Sequence, residues 1–236
     1  MKELPNPTMP LSLIDVPRGS LHRHDPETQK NAVTPQNAKG GAGLIVEWAK
    51  HQDQVREAQR LRYDVFANEM GARLKDSIPG HDIDLFDDFC EHLIIRDDVT
   101  EQVIGTYRVL TPAQAKRIGS TYSDLEFDLT RLRQYRERMV ELGRSCVHRD
   151  HRHGGVIMAL WGALAEFMVR NKLDVMIGCA SIPMLHQGVV SGEVAASIWH
   201  QLKQTHLAGV ENQVTPRLAL PVEQWEVNHA FEPPAL

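Results

Sequence analysis

From Gly43 onward the apolar positions recur with periods that assign elements. Leu44-Ile-Val-Glu-Trp48 reads as a short strand. Between Asp53 and Met70 the spacing is helical, with Asp53 as the expected N-cap and Gly71 as the stop. Residues 73–88 are polar and acid-rich, the composition of a loop. Cys90–Arg96 and Gln102–Leu110 carry strand patterns on either side of an Asp97-Asp98 turn and predict a hairpin. Short helical pieces follow Pro112 and Thr130, and Met139–Val147 is another strand. Val156–Arg170 is a helix with Val156, Leu160, Ala163, Leu164 and Phe167 on one face. A buried strand over Asp174–Cys179, a helix over Val189–His206 and a last short strand at Arg217–Leu220 complete the pattern. Strand, helix, hairpin, then strand–loop–helix–strand is a mixed α/β order, and no internal repeat interrupts it.

Residues 1–42 lack any such period. They hold six of the thirteen prolines and end near a Gly40-Gly41 pair, which predicts a flexible N-terminal extension before a domain over 43–236. The apolar island Leu11–Ile14 is where such a tail would touch a membrane or a partner. The 236 residues are 42% hydrophobic and 24% charged, enough for a sizeable core. Acids outnumber bases 31 to 26, so a nucleic-acid partner is not expected. Three widely spaced cysteines without a CxxC pair argue against a disulfide framework or a zinc cluster and fit a reducing cytoplasm. No apolar run approaches the ~18–20 residues of a membrane span. The first residues have no signal-peptide core, so secretion is not expected.

The most informative stretch runs from Val140 to Gly155. A strand leads through the basic loop Arg149-Asp-His-Arg-His-Gly-Gly155 into a helix. Unpaired N–H groups at such a helix start suit a phosphate or pyrophosphate. Gly154 and Gly155 permit close backbone approach, and Arg149 and Arg152 add charge. The alternative is an ordinary strand–helix turn with a solvated basic face. No metal is expected at His148, His151 and His153, because no carboxylate or cysteine completes a ligand set beside those arginines. Asp84, Asp87 and Asp88 lack the glycine and terminal glutamate of a calcium loop.

Ala58, Arg62 and Phe66 are spaced i, i+4, i+8, which sets Arg62 on an apolar helix face, where a guanidinium needs carboxylate partners. Asp84 and Asp87 are the nearest candidates, and Arg108 in the second hairpin strand is a further member. Glu141 and Arg144 lie three apart on one strand. Strict alternation would point them to opposite faces, so Gly143 predicts a bulge that re-aims one of them.

Arg152-His-Gly-Gly155 resembles the acyl-donor loop of the GNAT acyltransferases, Arg/Gln-x-x-Gly-x-Gly/Ala, with Ile157 departing from its last position. Leu61–Phe66, Asp84-Leu-Phe-Asp87, Gly105-Thr-Tyr-Arg108 and Glu141-Leu-Gly-Arg144 occur in the order of the charged framework of the acyl-homoserine-lactone synthases. Phe89-Cys-Glu-His-Leu93, Glu141–Val147 and Gly178-Cys-Ala-Ser181 are more similar to a sister group, the ornithine-lipid N-acyltransferases, often labelled hemolysin-like. The resemblance covers roughly residues 44–235. It implies a GNAT acyl-CoA N-acyltransferase-like α/β fold, with a mixed, splayed central sheet flanked by helices.

It also implies acyl transfer from a thioester to an amine. The donor would be a 3-hydroxyacyl chain on the phosphopantetheine arm of acyl carrier protein, and the acceptor ornithine. No tightly bound cofactor is expected. A carboxylate must take the amine's proton, and Glu141 is the expected base. Arg62, Asp84, Asp87, Arg108 and Arg144 would complete the catalytic framework. Arg149, Arg152, Gly154 and Gly155 would hold the donor phosphate, and Phe66 would line the acyl pocket. Arg131, Arg133, Arg136 and Arg138 form a basic run suited to the acidic carrier. The resemblance places the protein in the cytoplasm, with peripheral contact with the inner membrane as a further expectation. Rival readings are an autoinducer synthase using S-adenosylmethionine, though Glu69-Met-Gly-Ala72 lacks that group's tryptophan, or a non-catalytic binding module. The group's members continue past a segment like Glu232–Leu236, so a C-terminal truncation is expected.

Overall fold

The computed structural model describes residues 38–40, 43–74, 78–182, 184–186, 189–190 and 192–225. In chain order these form β1 (Ala38–Gly40), β2 (Leu44–Trp48), α1 (Gln52–Tyr63), β3 (Glu91–Asp97), β4 (Val103–Leu110), α2 (Pro112–Ile118), α3 (Ser123–Glu126) and β5 (Phe127–Asp128). There follow β6 (Met139–Val147), α4 (Gly155–Arg170), β7 (Val175–Ile177), β8 (Leu185–His186), β9 (Val189–Val190), α5 (Glu193–Thr205) and β10 (Thr215–Pro216). Two compact units result, one of residues up to Thr121 with Glu137–Ile177, the other of Tyr122–Arg136 with residues from Gly178.

The first unit is built on a six-stranded sheet in the order β1-β2-β3-β4-β6-β7. Its strands are antiparallel except for the β6–β7 pair, which is parallel. The mixed sheet expected from the sequence is therefore present. It begins at Ala38, inside the stretch read as an extension. Residues 1–37, with the Leu11–Ile14 island, and the segment ending at Leu236 lie outside the described residues.

Side chains from the central strands alternate between two environments. Leu93, Ile95, Val109, Val140 and Leu142 pack against Val156, Leu160, Leu164 and Phe167, the face of α4 that the 3.6-residue period assigns to the core. Contact is so close that a Cβ on Gly105 would meet Val156 Cγ1 at 2.5 Å. Arg108, by contrast, turns toward α1 and the loop after it.

The N-cap of α1 is His51 rather than Asp53, and Gln54 Oε1 accepts the His51 N–H at 3.3 Å, which closes the first turn. It gives way at Asp64–Glu69 to a π-helical turn, in which Met70 N donates to Val65 O at 3.0 Å. Gly71, at φ +72°, ends it as expected.

β7 departs from the buried strand expected over 174–179. It is three residues long and partly exposed, and it stands last in the sheet, paired among the described residues with β6 alone. In the second unit the strand expected at Arg217–Leu220 lies instead at Thr215–Pro216, where it pairs with β5. The helix expected over 189–206 is α5, preceded by the β8–β9 pair. The stretch after Thr130 is a 3-10 run to Arg138.

Candidate active site

Three arginines from three elements converge on three aspartates of one loop. Arg62 of α1 is fully buried. Its Nε lies 2.9 Å from Asp82 Oδ2, and its Nη2 lies 2.9 Å from both Asp87 carboxylate oxygens. Nη2 also donates to the Asp82 carbonyl. Arg108 of β4 donates from Nη1 to Asp84 Oδ1 at 2.6 Å and lies 3.4 Å from Asp87 Oδ1. Arg144 of β6 sets Nε 3.0 Å from Asp82 Oδ2 and Nη2 3.2 Å from Asp84 Oδ2. The Nε contacts of Arg62 and Arg144 with Asp82 are ion pairs without hydrogen-bond geometry. The loop is held in shape by its own carboxylates: Asp84 N donates to Asp87 Oδ2 at 3.0 Å, and Phe86 N to Asp84 Oδ1 at 2.9 Å.

Burial alone would raise the Asp87 carboxyl, but the Arg62 and Arg108 guanidiniums outweigh it and hold it below the usual carboxylate range. Arg108 shows the same contest. Burial would lower it, and Asp84 and Asp87 instead raise it above its ordinary value. His92 is buried beside the cluster, its Nε2 3.0 Å from the Asp87 carbonyl. Burial pushes its imidazole down to about 4 against the pull of Asp87, so it is neutral at pH 7 with Nε2 as donor.

The cluster is sealed at one end and accessible at the other. The side chains of Arg62, Asp82 and Asp87 are 0–3% exposed, whereas those of Asp84 and Arg144 are 23% and 26% exposed. Arg144 reaches it through the expected bulge. On β4, Arg108 pairs with Gly143, and Thr106 with Cys146, so three steps on β6 match two on β4. The residue in the left-handed region is Arg144 itself, at φ +52°, rather than Gly143. Gly143 is paired with Arg108, which faces the cluster, and Glu141 lies two residues before it on the same face by alternation. Without the bulge Arg144 would point to the α4 side. Glu141 is 6% exposed, and β7 pairs with β6 only as far as this residue. Beyond it, among the described residues, β6 runs on to Val147 with no strand on that side.

Cys90 and Cys146 flank this region. Burial drives the Cys90 thiol far above its ordinary value; Arg108 opposes this, while Asp87, Asp84 and Glu141 reinforce it. Burial pushes the Cys146 thiol up to about 12. Both are thiols rather than thiolates at neutral pH, and so poor nucleophiles.

At the far end of β6, Gly154 at φ +92° precedes α4, and Gly155 is its first residue. Arg152 Nε donates to Val147 O at 3.0 Å, and its Nη1 lies 2.5 Å from Glu69 Oε1. Arg149 Nε lies 3.7 Å from Glu69 Oε2. Phe66 packs with Leu61, Val65, Cys146 and Val103 in a small apolar cluster. Three arginines of the basic run have local partners: Arg131 on the Val210 carbonyl, Arg136 on Asp124 and Arg138 on Asp174.

The sequence reading had missed Asp82, His92 and Glu69. Asp82 had a signal, since His81-Asp-Ile-Asp-Leu85 alternates acids two apart so that both can face one side. His92 had one too, as a polar residue inside the apolar strand Glu91–Asp97. Glu69 had none, because its partners lie some eighty residues away.

Residues 61–162 match the acetyltransferase (GNAT) domain family, and the mixed sheet flanked by helices is the α/β fold of that domain. The chain is 39% identical over 140 residues to the L-ornithine N(alpha)-acyltransferase of Rhodobacter capsulatus, covering 56% of this chain and 54% of that protein. It is 36% identical over 156 residues to the protein of the same name from Brucella abortus, covering 61% and 56%. The chain thus spans about half the length of the curated relatives it matches. Among solved structures, the acyl-homoserine-lactone synthase LasI is similar at 19% identity and a TM-score of 0.45, over 58% of this chain and 72% of that one.

Proposed function

We propose that this chain is an N-acyltransferase that moves a 3-hydroxyacyl group from an acyl carrier protein thioester to the α-amine of ornithine, the first step of ornithine lipid synthesis. The observation that carries the reading is the bulge at Arg144. It joins Arg144 to the aspartate cluster on the face that carries Glu141, beside the part of β6 that β7 does not pair. The names of the relatives support the acceptor.

In this reading the amine gives its proton to Glu141, directly or through water, and its nitrogen then attacks the thioester carbonyl. The C–N bond forms, the C–S bond breaks, and the pantetheine thiol leaves with a proton. Backbone N–H groups along the bulged part of β6 stabilise the oxyanion. Arg62, Arg108, Asp82 and Asp87 hold the framework, and Arg144 and Asp84 form its accessible rim. Direct aminolysis fits the raised thiols of Cys90 and Cys146, neither of which is poised as a nucleophile to carry the acyl group. Arg149, Arg152, Gly154 and Gly155 take the donor phosphate, Phe66 borders the acyl chain, and Arg133 contributes charge for the carrier. No tightly bound cofactor takes part, and the lipid product accounts for peripheral membrane contact by a cytoplasmic enzyme.

The test is incubation with 3-hydroxyacyl carrier protein and ornithine, with mass spectrometry of the product. An amide-linked 3-hydroxyacyl ornithine is expected, and Glu141→Gln should lower kcat by ~10²–10⁴. Acylation that instead consumes S-adenosylmethionine would make the chain an autoinducer synthase. No thioester consumption with any amine would leave a binding module.

A further inference from the structure

The π-helical turn Asp64–Glu69 ends on a carboxylate that the acyl-transfer chemistry does not use. Glu69 reaches across to the loop before α4, where it meets both of the arginines assigned to the donor phosphate. Its Oε1 is 2.5 Å from Arg152 Nη1, and its Oε2 is 3.7 Å from Arg149 Nε. The hydrogen bond from Arg152 is the largest influence on the Glu69 carboxyl and, with the charges of Arg152 and Arg149, holds it below its ordinary value against the opposing effect of burial. Arg152 is not free to swing away, because its Nε is tied to the Val147 carbonyl at 3.0 Å. The loop therefore already faces one negative charge, placed by an element far away in sequence.

We infer that Glu69 is the resident counter-anion of this loop and sets how tightly the loop holds the phosphate of a phosphopantetheine donor; this rests on the reading above. A guanidinium carries five N–H donors, and two of Arg152's nitrogens are already engaged, by Val147 and Glu69. An incoming phosphate binds through the donors that remain, next to a carboxylate of its own sign. Glu69 weakens that binding by like-charge repulsion, and so favours release of the carrier arm after transfer. Glu69 is 24% exposed and Arg152 45% exposed, so solvent screens the effect to a modest size.

Glutamine at this position keeps an oxygen that accepts from Arg152 and removes the charge. Glu69→Gln should therefore tighten 4′-phosphopantetheine binding by roughly three- to ten-fold at low salt, with the gain shrinking as salt rises. Binding of pantetheine, which has no phosphate, should not change. Glu69→Asp, which keeps the charge, should behave like the parent, and Glu69→Ala should show the gain if the glutamine variant does not fold. Calorimetric titration of all four proteins with both compounds tests this. A parent that does not prefer the phosphorylated compound overturns the donor-loop reading and this inference with it. A parent that does prefer it, with charge-removing variants that bind it no more tightly, overturns the role of Glu69 alone.

Discussion

Two arginine–carboxylate clusters lie beside the C-terminal half of β6, and the same chemistry does different work in each. At Arg62, Asp82, Asp87 and Arg108 the charges are sealed between α1 and the sheet. No water screens them, and each needs all of its partners to offset desolvation. At Glu69, Arg149 and Arg152 the side chains are 24–62% exposed. Here water and salt screen the pairs, and the net contribution of each to stability is ~0–1 kcal/mol. The first cluster is suited to holding a backbone in place, and the second to exchanging one anion for another.

Breaking the sealed cluster should have the largest effect. Arg62→Ala takes the fully buried partner from Asp82 and Asp87 and leaves them only Arg144 and Arg108, for which a loss of about 3–5 kcal/mol is expected. That is a large share of the ~5–15 kcal/mol total stability of a domain. Chemical denaturation measures it directly. An unchanged midpoint would mean that the cluster serves ligand binding rather than the fold.

Next in size is a pH dependence. His92 titrates at about 4 in the folded protein, below its ordinary value. The unfolded chain therefore binds the extra proton first as pH falls, and stability drops between pH ~6.5 and ~4, by about 3 kcal/mol over the window. Asp87 acts in a lower window. Its depressed carboxyl contributes stability that is complete above the unfolded value of ~3.9 and is lost as pH falls through the folded one. His92→Gln should remove the upper slope and leave the lower one, read as melting temperature against pH.

A smaller effect is expected at the rim, where Arg144 combines left-handed backbone with half-screened ion pairs. Arg144→Gly relieves backbone strain on the order of 1 kcal/mol and gives up pairs of similar worth. Its stability should stay within about 1 kcal/mol of the parent while acyl transfer falls at least ~10-fold. A stability loss as large as that of Arg62→Ala would extend the sealed cluster out to the rim. The smallest change in stability belongs to the exposed cluster. Arg152→Gln should alter unfolding by no more than ~1 kcal/mol and still weaken phosphopantetheine binding. A large loss of stability there would erase the contrast between the two clusters.

The sequence carried the sealed cluster further than the exposed one. An arginine four residues from Ala58 and four from Phe66 on a helical stretch is expected on an apolar face, where a guanidinium needs acids, so Arg62 pointed to the Asp84–Asp87 loop. The spacing of Glu141 and Arg144 required a bulge, and one is present, displaced by a single residue from Gly143. Asp82 was passed over although it stands two residues before Asp84, because alternation in a loop is a weaker guide to side-chain direction than in a strand. Glu69 stayed hidden because its partners are remote in sequence and nothing in a helical pattern announces a π turn.

Periodicity thus determined the mixed α/β order, the α4 face that meets the sheet and the burial of Arg62, because each follows from which residues tolerate the loss of water. Tertiary structure alone decided which acids close around the arginines, where the left-handed residue of the bulge falls, and that Glu69 rests on the loop before α4. Those outcomes depend on distances between segments up to some eighty residues apart, and only the folded sheet sets such distances.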